Sequence, residues 1–140
     1  MALRKAVILL VDDNDIDRRI YGRYLKDWAD IEVKLIEAPT GKAALEACAQ
    51  GAPDCILLDY RLPDVDGLEL LEKIKRVTDA PVILMTGQPA PMMLTHAQAL
   101  GIAGYLWKEV IGSTRLREAI LLALDVDMGA VLQRASERAG

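Results

Sequence analysis

Carboxylates gather where two apolar runs of this chain end. Asp59 closes the apolar run 55–58, and a loop containing proline and glycine follows it. Asp12 and Asp13 come directly after another apolar run, residues 6–11. Buried strands of an open α/β sheet place such residues at the carboxyl edge of the sheet, where ligands bind. We therefore expect the three carboxylates to converge on one pocket.

Three carboxylates in one pocket need a positive partner. Two like charges at ~4 Å repel by roughly 4 kcal/mol at an effective dielectric constant of 20. Mg²⁺ relieves such repulsion and suits a site with few carboxylates that waters and a substrate phosphate complete. The cluster therefore predicts a Mg²⁺ site containing Asp12, Asp13 and Asp59. The alternative is that acidic residues after strands only cap helices, and Asn14 or Asp15 can do this for the helix that follows.

Strand and helix patterns alternate along the chain. Apolar runs predict five strands, over residues 6–11, 31–36, 55–58, 81–85 and 105–107. Apolar residues at helical spacing predict a helix after each strand, the first over 15–28 and the fourth over about 91–100. Ser113 or Thr114 is the expected cap of the fifth helix. Five βα units of this kind predict one α/β domain with a doubly wound parallel sheet.

Two further polar residues end strands of this predicted sheet. Thr86 ends the fourth strand and Lys108 ends the fifth, so both join the three aspartates at the carboxyl edge. A carboxylate to be phosphorylated, a bound Mg²⁺, a hydroxyl donor and an ammonium form a coherent set. The set predicts phosphoryl transfer onto Asp59.

Composition limits the function classes. The chain has 140 residues, of which 52% are hydrophobic, and a net charge of −4. It carries no basic run or basic-aromatic pattern for nucleic acid. The apolar stretch before Asp12 is too short for a signal peptide or a membrane span, which predicts a cytoplasmic protein with no membrane partner. Cys48 and Cys55 lack metal-ligand spacing and are expected to be buried apolar groups.

Ordered motifs identify a family. They are Val11-Asp12-Asp13, Leu58-Asp59 followed by Leu62-Pro63 and Asp66-Gly67, Met85-Thr86-Gly87, and Tyr105-Leu106-Trp107-Lys108. Together they resemble the receiver domain of two-component response regulators, in the CheY-like superfamily, and the resemblance covers about residues 5–125. It implies a flavodoxin-like (βα)₅ fold with strand order 2-1-3-4-5.

The resemblance also implies the roles of the acidic residues. Asp59 would accept a phosphoryl group from the phosphohistidine of a sensor histidine kinase or phosphotransfer protein. Asp13, Asp59 and the main-chain carbonyl of Arg61 would ligate Mg²⁺, and Asp12 would act mostly through a metal-bound water. The protein would then be a switch that assists only its own phosphorylation and dephosphorylation, and not an enzyme for outside substrates.

Three residues of the last two motifs would respond to the phosphoryl group. Thr86 would bond one phosphoryl oxygen, Lys108 would pair with another, and Tyr105 would rotate inward behind Thr86. This chain departs from the family at Lys108-Glu109, where the family usually has a proline joined through a cis bond. A non-proline cis bond costs roughly 3 kcal/mol, so we expect a trans peptide and a rearranged loop at this position.

Two other functions stay open at this stage. A pseudo-receiver would bind partners without phosphorylation, although every motif residue for phosphorylation is present. Phosphatases of the haloacid dehalogenase type also use a nucleophilic aspartate with Mg²⁺, but they usually need a second carboxylate two residues later, where this chain has Arg61. The chain is either a stand-alone regulator or a receiver cut from a longer protein, and its kinase and output are not encoded in these motifs.

The last residues, 126–140, extend beyond the receiver domain expected over residues 1–125. Met128, Val131, Leu132 and Ala135 have the spacing of an apolar helical stripe. A helix this short is marginal in water without a surface to pack on. We therefore expect a C-terminal amphipathic helix that packs in a homodimer, with a tail folded onto its own domain, or a linker helix, as the alternatives.

Overall fold

In the computed structural model, which describes residues 4–88 and 90–125, five strands alternate with five α-helices. The strands are β1 Arg4–Val11, β2 Ile31–Ala38, β3 Cys55–Asp59, β4 Val82–Thr86 and β5 Gly104–Trp107. The helices are α1 Asp15–Leu25, α2 Gly41–Gln50, α3 Gly67–Val77, α4 Pro91–Ala99 and α5 Ser113–Asp125. A short 3₁₀ turn, Lys108–Val110, joins β5 to α5.

The sheet is parallel throughout and has the order β2-β1-β3-β4-β5. This confirms the predicted flavodoxin-like topology. Because β1 and β3 are neighbours, their carboxyl ends lie side by side, with Val11 in register with Leu58. The next residues along the two strands are therefore the carboxylates Asp12 and Asp59.

Alternate side chains of the strands enter two different cores. Leu9, Val11, Ile56 and Leu58 pack with α2, α3 and α4 on one face of the sheet. Ile8, Leu10, Cys55 and Leu57 pack with α1 and α5 on the other face. Strands buried on both faces explain why the sequence has continuous apolar runs without alternation.

Polar side chains fix the start of three helices. Asn14 accepts hydrogen bonds from the amides of Ile16 and Asp17, Thr40 accepts from Ala43, and Asp66 accepts from Leu68 and Glu69. Each of these contacts satisfies an amide that has no partner within the helix.

Two sequence-based expectations were wrong at helix ends. The first helix stops at Leu25, three residues early, because Lys26 has an extended backbone with ψ of 146°, and Asp27 then turns with a positive φ of 55°. The fifth helix begins at Ser113, and the Gly112 carbonyl accepts from the Leu116 amide. Gly112 therefore occupies the cap position that was expected for Ser113 or Thr114.

The two cysteines are buried, as the sequence predicted. Cys48 and Cys55 are both buried free thiols, and they lie in the cores on opposite faces of the sheet. Within residues 4–88 and 90–125, no helix has the length and hydropathy needed to cross a membrane. The predicted C-terminal helix over 126–140 lies outside the described residues.

Candidate functional site

The acidic cluster forms at the carboxyl ends of β1 and β3. Carboxylate oxygens of Asp12, Asp13 and Asp59 all lie within 4.8 Å of one another. Asp12 is fully buried and Asp59 is 5% exposed, whereas Asp13 is exposed. The three carboxylates therefore converge as the sequence predicted, and the structure adds that two lie in the floor of the cluster and one at its rim.

Hydrogen bonds hold the two floor carboxylates in place. One oxygen of Asp12 accepts from the Asn14 amide at 2.9 Å, and Oδ1 of Asp59 accepts from the Arg61 amide at 3.1 Å. The guanidinium of Arg18 donates to the Asp12 carbonyl at 2.6 Å and also pairs with Glu37. These contacts fix the positions of the two floor carboxylates.

Lys108 connects the cluster to the far edge of the sheet. Its Nζ lies 2.9 Å from Asp12 Oδ2, 3.1 Å from Asp59 Oδ2 and 3.1 Å from Asp17 Oδ2. Lys108 was predicted to reach this site, but Asp17 was not. The fold topology could have indicated this contact. Asp17 lies on α1, Lys108 begins the turn before α5, and α1 and α5 pack in the same core.

Burial and charge act against each other at this centre. Burial raises the pKa of Asp59 to about 6, against the lowering effect of Lys108, and the charge of Asp12 adds to the rise. Burial by itself lowers the pKa of the Lys108 ammonium, but its hydrogen bond to Asp12 and the charges of Asp59 and Asp12 outweigh burial and raise it. Lys108 is therefore held as a cation, while Asp59 is easier to protonate than an exposed aspartate.

Thr86 ends β4 beside this centre. It is 2% exposed, and its hydroxyl oxygen accepts a hydrogen bond from the Gln88 amide at 3.2 Å. Its hydroxyl hydrogen remains available for another acceptor. Tyr105 lies on the neighbouring strand and is 45% exposed, so its ring points away from the core.

The loop after Lys108 differs from the pattern expected with proline. Lys108 starts the 3₁₀ turn, Glu109 is exposed within it, and every peptide bond of the described residues is trans. The lysine still reaches the aspartates, so the trans peptide expected at Lys108-Glu109 is compatible with the site.

Above the cluster lies an open pocket of about 500 Å³. The α1 side and the β3–α3 loop line it on one side, and the segments after β4 and β5 line it on the other. Its lining includes Asp13, Asp17, Arg61, Gln88 and Glu109. Asp59 lines this pocket as well, so a small molecule in the pocket can reach its carboxylate.

Comparison with known proteins decides the family. The sequence profile of the response regulator receiver domain matches residues 8–121. The chain belongs to the response regulator receiver family. Over 104 residues, this receiver is 38% identical to a protein-glutamate methylesterase/protein-glutamine glutaminase of Trichodesmium erythraeum, a match that covers 72% of the chain and 29% of that protein. The chain spans about half or less of the length of the curated relatives it matches.

Solved structures agree with this assignment. The receiver domain of the putative response regulator NarL from Mycobacterium tuberculosis is 29% identical, with a TM-score of 0.79 over 88% of this receiver and 98% of that chain. The Mn(2+)-bound form of the response regulator Rcp1 is 29% identical, with a TM-score of 0.70 over 87% of this receiver and 91% of that chain.

Proposed function

We propose that this receiver accepts a phosphoryl group onto Asp59 from the phosphohistidine of a sensor histidine kinase or of a phosphotransfer protein. The observation that carries the proposal is the contact between the buried Asp59 carboxylate and the Lys108 ammonium, at the floor of an open pocket. A carboxylate beside a fixed cation is suited to become an acyl phosphate, because the cation compensates the charge of the transferred group.

The transfer exchanges one bond to phosphorus for another. An oxygen of the Asp59 carboxylate forms a new P–O bond, and the P–N bond of the phosphohistidine breaks. The electron pair of that bond stays on the imidazole nitrogen of the donor. Lys108 pairs with a phosphoryl oxygen in the product.

The cluster is suited to Mg²⁺. Asp13 and Asp59 would hold the ion together with the main-chain carbonyl of Arg61, and Asp12 would act through a bound water. Hard oxygen donors of this kind are the ligands that Mg²⁺ prefers. When bound, Mg²⁺ supplies positive charge that compensates the carboxylates and the phosphoryl oxygens. The Mn(2+)-bound form of Rcp1 supports a divalent cation in this fold.

Thr86 and Tyr105 are proposed to convert phosphorylation into a surface change. The Thr86 hydroxyl is buried beside Asp59's strand and has a free hydrogen, so it can turn toward a phosphoryl oxygen. Space behind it would then admit the exposed ring of Tyr105. Such a local electrostatic change biases a surface with two states, and a partner protein reads the difference.

As a receiver, the chain works as a signalling switch. The methylesterase relative is much longer than this chain, which matches only 29% of it, so we do not propose methylesterase activity for this chain. The alternative of a haloacid-dehalogenase-like phosphatase is disfavoured because Arg61 is exposed at the position where those enzymes place a carboxylate. We place the protein in the cytoplasm and expect no nucleic-acid contact.

A labelling experiment tests this function. The chain is incubated with radiolabelled acetyl phosphate and Mg²⁺, and the bound label is counted for wild type, Asp59→Asn and the matched control Asp30→Asn, an exposed loop residue. Wild type and the control should reach about one label per chain, and Asp59→Asn should carry none. A wild type without label would favour the pseudo-receiver, and full labelling of Asp59→Asn would exclude Asp59 as the acceptor.

A further inference from the structure

Lys108 has no free hydrogen-bond donor. An ammonium carries three N–H donors and no acceptor. Asp12, Asp17 and Asp59 each accept one of them, at 2.9, 3.1 and 3.1 Å. To pair with a phosphoryl oxygen, Lys108 must therefore release or share one of these carboxylates.

Asp17 differs from the other two partners. Asp12 and Asp59 follow strands and belong to the acidic cluster, whereas Asp17 lies in the first turn of α1. Its side chain is 32% exposed, compared with 0% for Asp12 and 7% for Asp59. Water can replace Lys108 as the partner of Asp17 more easily than it can at the two buried carboxylates. Asp17 is therefore the partner that Lys108 releases at the lowest cost.

We propose that Asp17 is a positioning residue that restrains Lys108 in the unphosphorylated receiver and thereby slows phosphoryl transfer to Asp59. This inference rests on the proposed phosphorylation of Asp59. Two effects of Asp17 act in the same direction. Its carboxylate occupies a donor that the incoming phosphoryl group needs, and its negative charge lines the pocket through which an anionic phosphodonor arrives.

Replacement of Asp17 by asparagine tests its charge without changing how its side chain packs. Asp17→Asn keeps the shape of the side chain and an oxygen acceptor but removes the charge that competes for Lys108. The matched control is Asp15→Asn, which removes the same charge from the same helical turn. Asp15 pairs with Arg18 and not with Lys108, and both aspartates are near the amino end of α1, where helix-dipole effects on stability are similar.

The first measurement is the labelling rate with acetyl phosphate at saturating Mg²⁺. Asp17→Asn should be labelled about three- to tenfold faster than wild type, because an ion pair is lost and the anionic donor is repelled less. The rate of Asp15→Asn should stay within about twofold of wild type. An unchanged or slower rate for Asp17→Asn, or equal acceleration in the control, would overturn the proposal that Asp17 slows phosphoryl transfer.

The second measurement needs no phosphorylation. A ¹H–¹⁵N correlation spectrum of the lysine ammonium groups, assigned with Lys108→Arg, reports proton exchange at Lys108 directly. The Lys108 signal should shift and exchange faster in Asp17→Asn, and it should stay as in wild type in Asp15→Asn. An unchanged signal in Asp17→Asn would overturn the restraint. If wild type took up no label, the proposed function would fail, and this spectrum would still decide whether Asp17 restrains Lys108.

Discussion

The indole Nε1 of Trp107 donates a hydrogen bond to the carbonyl of Gly87 at 3.0 Å. Trp107 is also the register partner of Thr86 in the β4–β5 pair. Trp107 therefore contacts the segment immediately after Thr86 from the neighbouring strand. That bond restrains the backbone next to the proposed switch residue.

Trp107→Phe should remove this bond while keeping an aromatic ring. Because Trp107 is 40% exposed, water can replace part of the contact, and we expect a loss of about 0.5–1 kcal/mol in the free energy of unfolding. Urea unfolding followed by circular dichroism measures it. Tyr105→Phe, a hydroxyl deletion on the same strand, should change stability by less than about 0.5 kcal/mol. Equal losses in both variants would show that the indole bond carries no stability of its own.

Asp59 should reduce stability at neutral pH. Its pKa in the folded protein, about 6, lies above the ordinary aspartate value of 3.8. The folded state therefore binds this proton more tightly, and the contribution of Asp59 to stability falls as pH rises from about 4 through about 6.

Asp59→Asn in the absence of metal should accordingly raise the free energy of unfolding at pH 7 by about 1–3 kcal/mol, offset in part by the loss of one Lys108 contact. The gain should shrink toward zero near pH 4. Urea unfolding with a chelator at several pH values measures it. A gain that grows as pH falls would contradict the raised pKa.

Asp13 should affect the metal more than the fold. It is exposed but lies within the acidic cluster, so Asp13→Ala should weaken Mg²⁺ binding at least about tenfold, or roughly 1.4 kcal/mol. Isothermal titration calorimetry measures this affinity. Asp15→Ala, another exposed carboxylate nearby, is the control and should bind Mg²⁺ nearly as wild type does. Unchanged affinity in Asp13→Ala would remove Asp13 from the ligand set.

Thr86 should matter for the response more than for uptake of the phosphoryl group. Thr86→Ala removes the hydroxyl that is proposed to follow the phosphoryl oxygens, so it should be labelled but should give less than about half of the wild-type chemical-shift changes on α4 and α5. Thr78→Ala serves as the control. Thr78 follows α3 and precedes β4, so it lies near the amino ends of the strands, away from the carboxyl ends that form the site. Wild-type shifts in Thr86→Ala would contradict its role as a switch.

The dimer stays a prediction, because residues 126–140 lie outside the described residues. If their apolar stripe packs against a second copy, the intact chain should sediment as a dimer at micromolar concentration and a chain truncated after Asp125 as a monomer. Truncation there keeps the Arg4–Asp125 ion pair at the end of α5. A monomer in both cases would contradict the dimer.

Strand-end residues were the part of the site that sequence could predict. Lys108 contacts Asp12 and Asp59, and Thr86 ends the strand beside them, because parallel strands carry their carboxyl ends to the same edge. This rule needs only the strand pattern. The contact of Asp17 with Lys108 depends on how two helices pack on one face, which no local pattern specifies.

Helical spacing alone is a weaker guide to burial, for the same reason. Ile20 and Val77 fit the apolar spacing of α1 and α3, yet they are 37% and 58% exposed. Helical spacing gives the direction of an apolar face, but the width of the face that the sheet covers is a tertiary property. The two adjacent methionines of α4 also differ: Met93 is buried in the core, and Met92 is 88% exposed.

The β3–α3 loop is fastened at several points. Asp64 accepts hydrogen bonds from the Gly41 and Lys42 amides at the start of α2, at 2.9 and 3.1 Å. Arg61 and Asp66 form a bridge, and a Cβ on Gly67 would lie 2.3 Å from the Tyr60 carbonyl oxygen, so only glycine fits there. The wall that carries the Arg61 carbonyl is therefore stiff.

In the part of the opposite wall that the structure describes, Gly87 and Gln88 after β4 are held by the Trp107 bond to Gly87 and by the bond from the Gln88 amide to Thr86. If Asp59 is phosphorylated as proposed, we expect the wall after β4 to move more than the β3–α3 loop, because the loop is fastened at more points. The displacement would then reach α4 and β5, which gives the proposed signal a direction.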